Sequence, residues 1–310
     1  MERWTLGGPD SVTVDQVTEL KVKLVAGHVD VMTTDGPPRI EVHELTGDPV
    51  VVTSDDGRLT VGYEDLGGVF DFDGRLAKET LTGLGEALRD LFENGRTSRT
   101  EEWVRQFPWS GRKRHAVVSI AVPRQCRVDL NVVSATAVAA GIDGSTTVKS
   151  VSGGVTLDGL SGEVDAHTVS GDLEAQLLSG RLSFVTVSGD LTVAEAASDR
   201  VEGRTVSGDL LADLDLGPDG RLSFSTVSGD VTARLAADTD ARVEVTSTSG
   251  DMTSGFDELQ RERKPGKKRI HGTLGGGHGR VEVHTVSGDV HLLARKKPST
   301  TAAAAGGQDQ

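Results

Sequence analysis

Residues 168–172 read Thr168-Val169-Ser170-Gly171-Asp172, and the same pentapeptide returns at 186–190, 205–209, 226–230 and 285–289. Weaker copies stand at 150–154 and 248–251. From Ser152 onward, the serines of successive copies are separated by 18, 18, 19, 21, 21 and 38 residues. A fixed period near 20 residues is typical of stacked units that cannot bury their apolar faces alone. We interpret the last gap, twice 19, as a coil whose marker is missing.

The segments between the copies have the pattern of β-strands. In 281–285, for example, Val281, Val283 and Thr285 alternate with Glu282 and His284. This is a period of two, rich in β-branched residues. No repeat has room for a crossover helix. The sequence therefore predicts an all-β fold, a right-handed parallel β-helix or β-solenoid with turns of 18–21 residues over 115–294.

Each copy of the pentapeptide is expected to form a corner between two strands. Glycine permits the positive φ that a corner needs, and serine and aspartate can hydrogen-bond the local backbone. We therefore assign a structural role to the serine, glycine and aspartate of each copy. These residues are Ser170, Gly171, Asp172, Ser188, Gly189, Asp190, Ser207, Gly208, Asp209, Ser228, Gly229, Asp230, Ser249, Gly250, Asp251, Ser287, Gly288 and Asp289.

Two features of the corners stay open at this point. The valine of each copy points either inward as a core ladder or outward as an exposed stripe. The stacked aspartates either cap their own turns and stay hydrated, or bind cations between coils. The copies lack the doubled glycine of the calcium-binding nonapeptide repeat.

The sequence resembles a bacterial family of putative adhesin domains of unknown function, and it is similar to autotransporter adhesin-like head domains. The resemblance rests on the reiterated pentapeptide, on Val122-Pro123 leading to Leu130-Asn131-Val132-Val133-Ser134, and on 272–277 (GTLGGG) running into 281–290. It covers roughly 115–294, with a weaker echo in 19–62. The resemblance implies a β-solenoid and an adhesin-like role. It brings no catalytic residues.

The remainder of the chain divides into three further regions. Residues 1–65 read as strands, which form either the first coils or a β cap over an open end. Residues 66–114 break the pattern, because Leu81, Leu84, Leu88 and Leu91 have helical spacing and predict one short helical insertion. Residues 295–310 are expected to be a disordered tail.

Charge is segregated along the chain, which carries a net charge of −14. Residues 115–260 hold 22 acidic and nine basic side chains, while 94–114 and 261–269 are basic. We interpret both basic segments as arms that dock an acidic, unidentified protein partner, the alternative being solvated loops, and 261–269 as a loop grafted onto one coil. The candidate contacts are Phe107, Trp109, Arg112, Lys113, Arg114, Arg261, Arg263, Lys264, Lys267, Lys268 and Arg269.

The composition narrows the class of function. The N-terminus lacks the pattern of a signal peptide and no segment has the length and apolarity of a membrane span, so we expect a cytoplasmic protein. The single Cys126 allows no internal disulfide. Because the acidic rod would repel polyanions, we expect neither nucleic acid nor membrane as a partner.

The chemistry-bearing residues repeat by position instead of forming one unique cluster. No catalytic site, metal site or cofactor is therefore predicted, and the chain is expected not to be an enzyme. The leading hypothesis is a non-catalytic, adhesin-like binding or scaffold protein. The alternatives are a carbohydrate-active or cation-dependent enzyme on a β-helix and a self-assembling structural solenoid. The oligomeric state is left open.

Overall fold

The computed structural model describes residues 1–63, 114–264 and 267–295. Within these residues all regular secondary structure is β-strand, in agreement with the all-β prediction. The predicted helix, with Leu81 to Leu91, lies outside the described residues, as does the predicted tail beyond Arg295. No helix suited to crossing a membrane occurs in the described part of the chain.

Twenty-two strands make up the described chain. The first eight are β1 (Glu2–Leu6), β2 (Asp10–Thr13), β3 (Glu19–Thr33), β4 (Arg39–Thr46), β5 (Val50–Asp55), β6 (Arg58–Gly62), β7 (His115–Val122) and β8 (Arg127–Ala140). The next seven are β9 (Thr146–Ser152), β10 (Val155–Asp158), β11 (Glu163–Ser170), β12 (Leu173–Gln176), β13 (Ser179–Ser188), β14 (Leu191–Ser207) and β15 (Leu210–Ser228). The last seven are β16 (Val231–Ala236), β17 (Ala241–Ser247), β18 (Met252–Ser254), β19 (Gln260–Lys264), β20 (Lys267–Leu274), β21 (Gly279–Ser287) and β22 (Val290–Arg295).

Successive repeats stack as parallel coils, so that each strand pairs with the equivalent strand of the next repeat. Ser170 lies opposite Ser188, which lies opposite Ser207, which in turn lies opposite Ser228. Each coil contributes one strand before its Ser-Gly-Asp corner and one after it. We call the first set the pre-corner strands: β9, β11, β13, β21, β17 and the C-terminal halves of β14 and β15.

The C-terminal coils stack in a different order from their order in the sequence. Val281 of β21 lies opposite Leu222 of β15 on one side and opposite Val243 of β17 on the other. The coil that contains Ser287 is therefore inserted between those of Ser228 and Ser249. The 38-residue gap does not hide a coil without a marker, because β19 and β20 form an antiparallel hairpin and β20 pairs antiparallel with β17.

The N-terminal end has a similar arrangement of parallel coils covered by antiparallel strands. β3 pairs in parallel with β8 on one side and with β6 and β7 on the other. Antiparallel strands then follow outward, β4 and β2 beside β7, and β5 and β1 beside β6. Residues 1–63 thus supply both coil strands and a cover, and at the C-terminal end an antiparallel strand covers the outer edge of β17.

The core is built from small aliphatic ladders and from one polar ladder. Val164, Leu182, Val201, Leu222 and Val281 occupy equivalent buried positions. The threonines of the pentapeptide are also buried, and their hydroxyls have no hydrogen-bond partner among the described residues: Thr168, Thr186, Thr205, Thr226 and Thr285. The valines of the pentapeptide, by contrast, are only half-buried. They form neither a core ladder nor a fully exposed stripe.

Candidate functional site

The corners form a column whose geometry depends on glycine. Gly171, Gly189 and Gly208 have φ values of 140°, 136° and 138°, which side chains rarely adopt. A Cβ on any of them would also collide with the carbonyl oxygen of the glycine in the preceding coil. The corner glycines are therefore required by the close approach of successive coils.

The aspartates of the corners link one coil to the next. The backbone N–H of Asp190 donates to Oδ1 of Asp172 at 3.0 Å, and the backbone N–H of Asp209 donates to Oδ1 of Asp190 at 2.9 Å. The same bond joins Asp230 to Asp209 and Asp289 to Asp230, and it joins Asp251 to Asp289 in the stacking order described above. Each carboxylate caps the neighbouring coil and not its own turn. This arrangement gives the aspartates a structural role in joining successive coils.

A column of arginines runs along the outer face of the pre-corner strands. Arg181 lies opposite Arg200, Arg200 opposite Arg221, and Arg221 opposite Arg280. Arg242 follows next to Arg280. All five side chains are exposed. Because paired strands lie about 4.8 Å apart, this arginine column spans about 19 Å.

A cleft opens beside the middle of the arginine column. It has a volume of about 260 Å³, and Arg200, Arg221 and Arg280 contribute to its lining. Glu202, Ser223 and Glu282 line it two residues further along the same strands. Serine is short, so the middle strand leaves a gap between the two flanking glutamates. The cleft thus presents guanidinium groups beside a hydroxyl and two carboxylates.

The ion pairs around the cleft leave two arginines without an acidic partner. Arg280 binds Glu282 at 2.6 Å, and Glu202 is bound by Arg204, which lies outside the lining. Among the described residues, neither Arg200 nor Arg221 has an acidic side chain within ion-pair distance. Guanidinium groups held at the strand spacing of about 5 Å would repel each other by roughly 1 kcal/mol in bulk water and roughly 3 kcal/mol near a protein surface. An anion bound between Arg200 and Arg221 would remove that repulsion.

The first predicted docking arm is described only at its C-terminal residue. Phe107, Trp109, Arg112 and Lys113 lie outside the described residues, and only Arg114 can be placed. Its side chain is 9% exposed and binds Asp48 at 2.7 Å. It also lies over the ring of Tyr63, whose pKa is raised to about 12 by burial, against the opposing effect of the Arg114 charge. Arg114 therefore anchors the chain and offers little surface to a partner.

The second predicted docking arm is a hairpin and not a loop, with Arg261, Arg263 and Lys264 in β19 and Lys267, Lys268 and Arg269 in β20. Several of its basic side chains have internal partners. Lys268 binds Asp251 at 2.7 Å, and Arg269 binds Glu244 at 3.0 Å.

Lys264 binds Glu262 at 2.7 Å within β19. Arg261 reaches the backbone carbonyl of Ser254 at 3.4 Å. The contacts of Lys268, Arg269 and Arg261 thus join the hairpin to the last coil, whereas that of Lys264 stays within the hairpin.

The described residues contain no cluster of three or more histidine, cysteine, aspartate or glutamate side chains suited to a metal ion. Cys126 is buried, and burial raises the pKa of its thiol to about 11.

The arginine column was missed by the sequence interpretation, although the sequence carries its signal. Arg181, Arg200, Arg221 and Arg280 each stand five residues before the threonine of a Thr-Val-Ser-Gly-Asp copy. Arg242 stands five residues before Ser247, which takes the threonine's place in the weaker copy. Aligning the repeats on this threonine would have placed all five arginines on one line.

Comparison with known families agrees with the repeat structure. Residues 142–219 and 204–293 each match the family described as Toastrack DUF4097. The two matches overlap and together cover the region of the corner copies, just under half of the chain. Curated proteins yield no relative of this sequence.

Several solved structures match most of this chain at very low sequence identity. A putative adhesin from Bacteroides fragilis is 10% identical with a TM-score of 0.42, and 94% of this chain and 97% of that one are covered. A putative adhesin from Parabacteroides distasonis is 12% identical with a TM-score of 0.38, at 94% and 97% coverage. A putative lipid binding protein from P. distasonis is 8% identical with a TM-score of 0.39, at 92% and 97% coverage. Such values transfer no function to this chain.

Proposed function

We propose that the protein is a non-catalytic binding scaffold and that its arginine column holds an anionic ligand. The observation that carries the proposal is the pair formed by Arg200 and Arg221, adjacent, exposed and without an acidic partner in the described chain. Holding two such charges together costs free energy that an anionic ligand would recover. The rigid stack fixes the backbone positions of the arginines in register, so only their side chains have to be ordered on binding.

The acidic character of the chain makes the column selective. A net charge of −14 repels polyanions in general, so an anion is attracted only where positive charge is locally concentrated, as it is along the column. Binding should weaken as salt rises, because the arginines are exposed to solvent. In this proposal the ligand binds to the arginine column on the outer face of the pre-corner strands, and not to the two basic segments predicted from the sequence.

The test is equilibrium binding of fluorescent dextran sulfate, with uncharged dextran as the control probe. We expect the wild type to bind only the sulfated polymer. The double variant Arg200→Gln/Arg221→Gln should lose at least tenfold in affinity. A matched double variant, Arg39→Gln/Arg58→Gln, removes two exposed arginines that are already paired with glutamates at the N-terminal end. It should bind within about twofold of wild type. Equal losses in both variants would show binding to general charge and would refute the site.

A carbohydrate-active enzyme is the second candidate, because Glu202 and Glu282 flank the cleft two strand spacings apart. Paired carboxylates across a groove are the machinery of glycoside hydrolysis. In that machinery the general acid sits in apolar surroundings that keep it protonated. Here each glutamate is engaged by an arginine instead, which favours binding over catalysis. Release of reducing ends from any polysaccharide, abolished by Glu202→Gln, would reverse this preference.

A further inference from the structure

The cleft contains hydrogen-bond acceptors as well as cationic groups, and this mixture restricts the ligand. Glu202 and Glu282 lie one strand spacing on either side of Ser223, and both are partly exposed. Their side chains are 27% and 29% exposed, so oxygen atoms of both can reach a bound molecule. A ligand centred on Arg221 and Ser223 therefore meets a guanidinium and, within about 5 Å, two carboxylates.

We infer that the anionic group is carried by a sugar, so that the cleft binds an acidic saccharide unit. This inference rests on the proposed function of the arginine column. The carboxylate or sulfate of such a unit binds between Arg200 and Arg221. Hydroxyls on the same ring donate to Glu202 and Glu282, and carboxylates are strong acceptors for neutral donors. Ser223 donates to or accepts from the ring between them.

Other anions fit this set of groups less well. Phosphate polymers carry no hydrogen-bond donors along their backbone, so the two glutamates would only repel them. Proteins that bind single-stranded nucleic acids stack the bases on aromatic side chains, and the cleft lining contains none. An acidic peptide has backbone N–H donors, but they lie on a flexible chain and not on one rigid ring with the carboxylate. A sugar ring that bears both an acidic group and hydroxyls can contact the arginines through the acidic group and the two glutamates through the hydroxyls.

The dimensions of the cleft agree with one unit of a longer chain. Its volume of about 260 Å³ is just below the range of about 300–1,000 Å³ typical of pockets that enclose a drug-sized ligand. The arginine column continues in both directions, to Arg181 on one side and Arg242 on the other. One acidic unit occupies the cleft, and neighbouring acidic units lie along the column.

The experiment compares three probes on the full chain by isothermal titration calorimetry. The probes are an oligogalacturonate, inorganic tripolyphosphate and an oligoglutamate of the same charge as the oligogalacturonate. We expect the oligogalacturonate to bind most tightly. Glu202→Ala and Glu282→Ala should each weaken oligogalacturonate binding about fivefold or more and should strengthen tripolyphosphate binding, because they remove acceptors and negative charge together. Tripolyphosphate binding at the same time reports that each variant is folded.

The outcomes separate this inference from the proposed function. If the glutamate variants strengthen all three probes alike, the sugar is refuted while the anion site stands. If oligoglutamate binds as tightly as oligogalacturonate and responds to the glutamate variants in the same way, the ligand is an acidic peptide and the inference fails. If Arg200→Gln/Arg221→Gln leaves all three affinities unchanged, both the site and the sugar are refuted.

Discussion

Replacing Gly208 by alanine adds a single carbon atom at a contact between two successive coils, and so tests whether their close approach requires glycine. Gly208 has a φ of 138°, and an added Cβ would meet the carbonyl group of Gly189 in the preceding coil. A side chain held in this region of φ costs about 1–3 kcal/mol. Forcing extra volume into a packed contact costs about 1–3 kcal/mol more. Gly208→Ala should therefore destabilise the protein by about 2–6 kcal/mol, a large share of the roughly 5–15 kcal/mol that stabilises a typical protein.

The matched control is Gly154→Ala, in the weaker copy of the same corner column. Gly154 takes the place of the aspartate, its φ lies outside the left-handed region, and a Cβ there would meet nothing within 4 Å. This change should stay within about 0.5 kcal/mol of wild type. Urea unfolding followed by far-ultraviolet circular dichroism measures both variants. If Gly208→Ala costs no more than Gly154→Ala, the close approach of the coils is refuted.

Two further predictions concern the core and one surface pair. Thr205→Val should raise the free energy of unfolding by about 1–3 kcal/mol, because the buried hydroxyl has no partner among the described residues. A loss of stability in urea unfolding would contradict this. The Asp240 carboxylate accepts a hydrogen bond from Nδ1 of His278 at 2.8 Å. Hydrogen bonding between the two residues raises the pKa of His278 above its ordinary 6.5 and lowers the pKa of Asp240 below 3.8. Because the pKa of His278 is raised, the pair stabilises the fold below pH 6.5, and this contribution is lost as the pH rises through the folded pKa of His278. Because the pKa of Asp240 is lowered, the pair also stabilises the fold above pH 3.8, and that contribution is lost as the pH falls through the folded pKa of Asp240. An NMR titration should give His278 a pKa above 6.5 that falls in Asp240→Asn, and an unchanged value would contradict the pair.

The spacing of the repeated pentapeptide predicted the parallel stacking of the coils. Because a parallel stack places equivalent residues opposite one another, the separation of Ser170 and Ser188 directly predicts the observed pairing. The role of the corner glycines also followed from local chemistry, since no other residue tolerates that backbone and that contact.

The order of the C-terminal coils could not be predicted in the same way. The strands at 221–228, 241–247 and 279–287 have nearly the same pattern, so each is compatible with either neighbour. Their order depends on the hairpin of β19 and β20, which covers β17 and leaves β21 to pair between β15 and β17.

The candidate site was not predicted, because charged residues were grouped by their proximity in sequence and not by their positions in neighbouring coils. Arg261 to Arg269 stand out as a run, yet the fold pairs most of that run with nearby acidic and backbone groups. Arg200 and Arg221 are isolated among acidic residues in sequence and become neighbours only once the coils are stacked. The contacts of Arg114 with Tyr63 and Asp48 were not predicted either, since they join residues distant in sequence.

The most direct measurement of the central claim is an NMR titration of the arginine Nε–Hε signals with oligogalacturonate. Signals of Arg200 and Arg221 should shift together along one saturable binding curve whose midpoint gives the dissociation constant found by calorimetry, while those of Arg39 and Arg58 stay in place. Shifts confined to Arg261 and Arg263 in the hairpin, with Arg200 and Arg221 unmoved, would contradict the account.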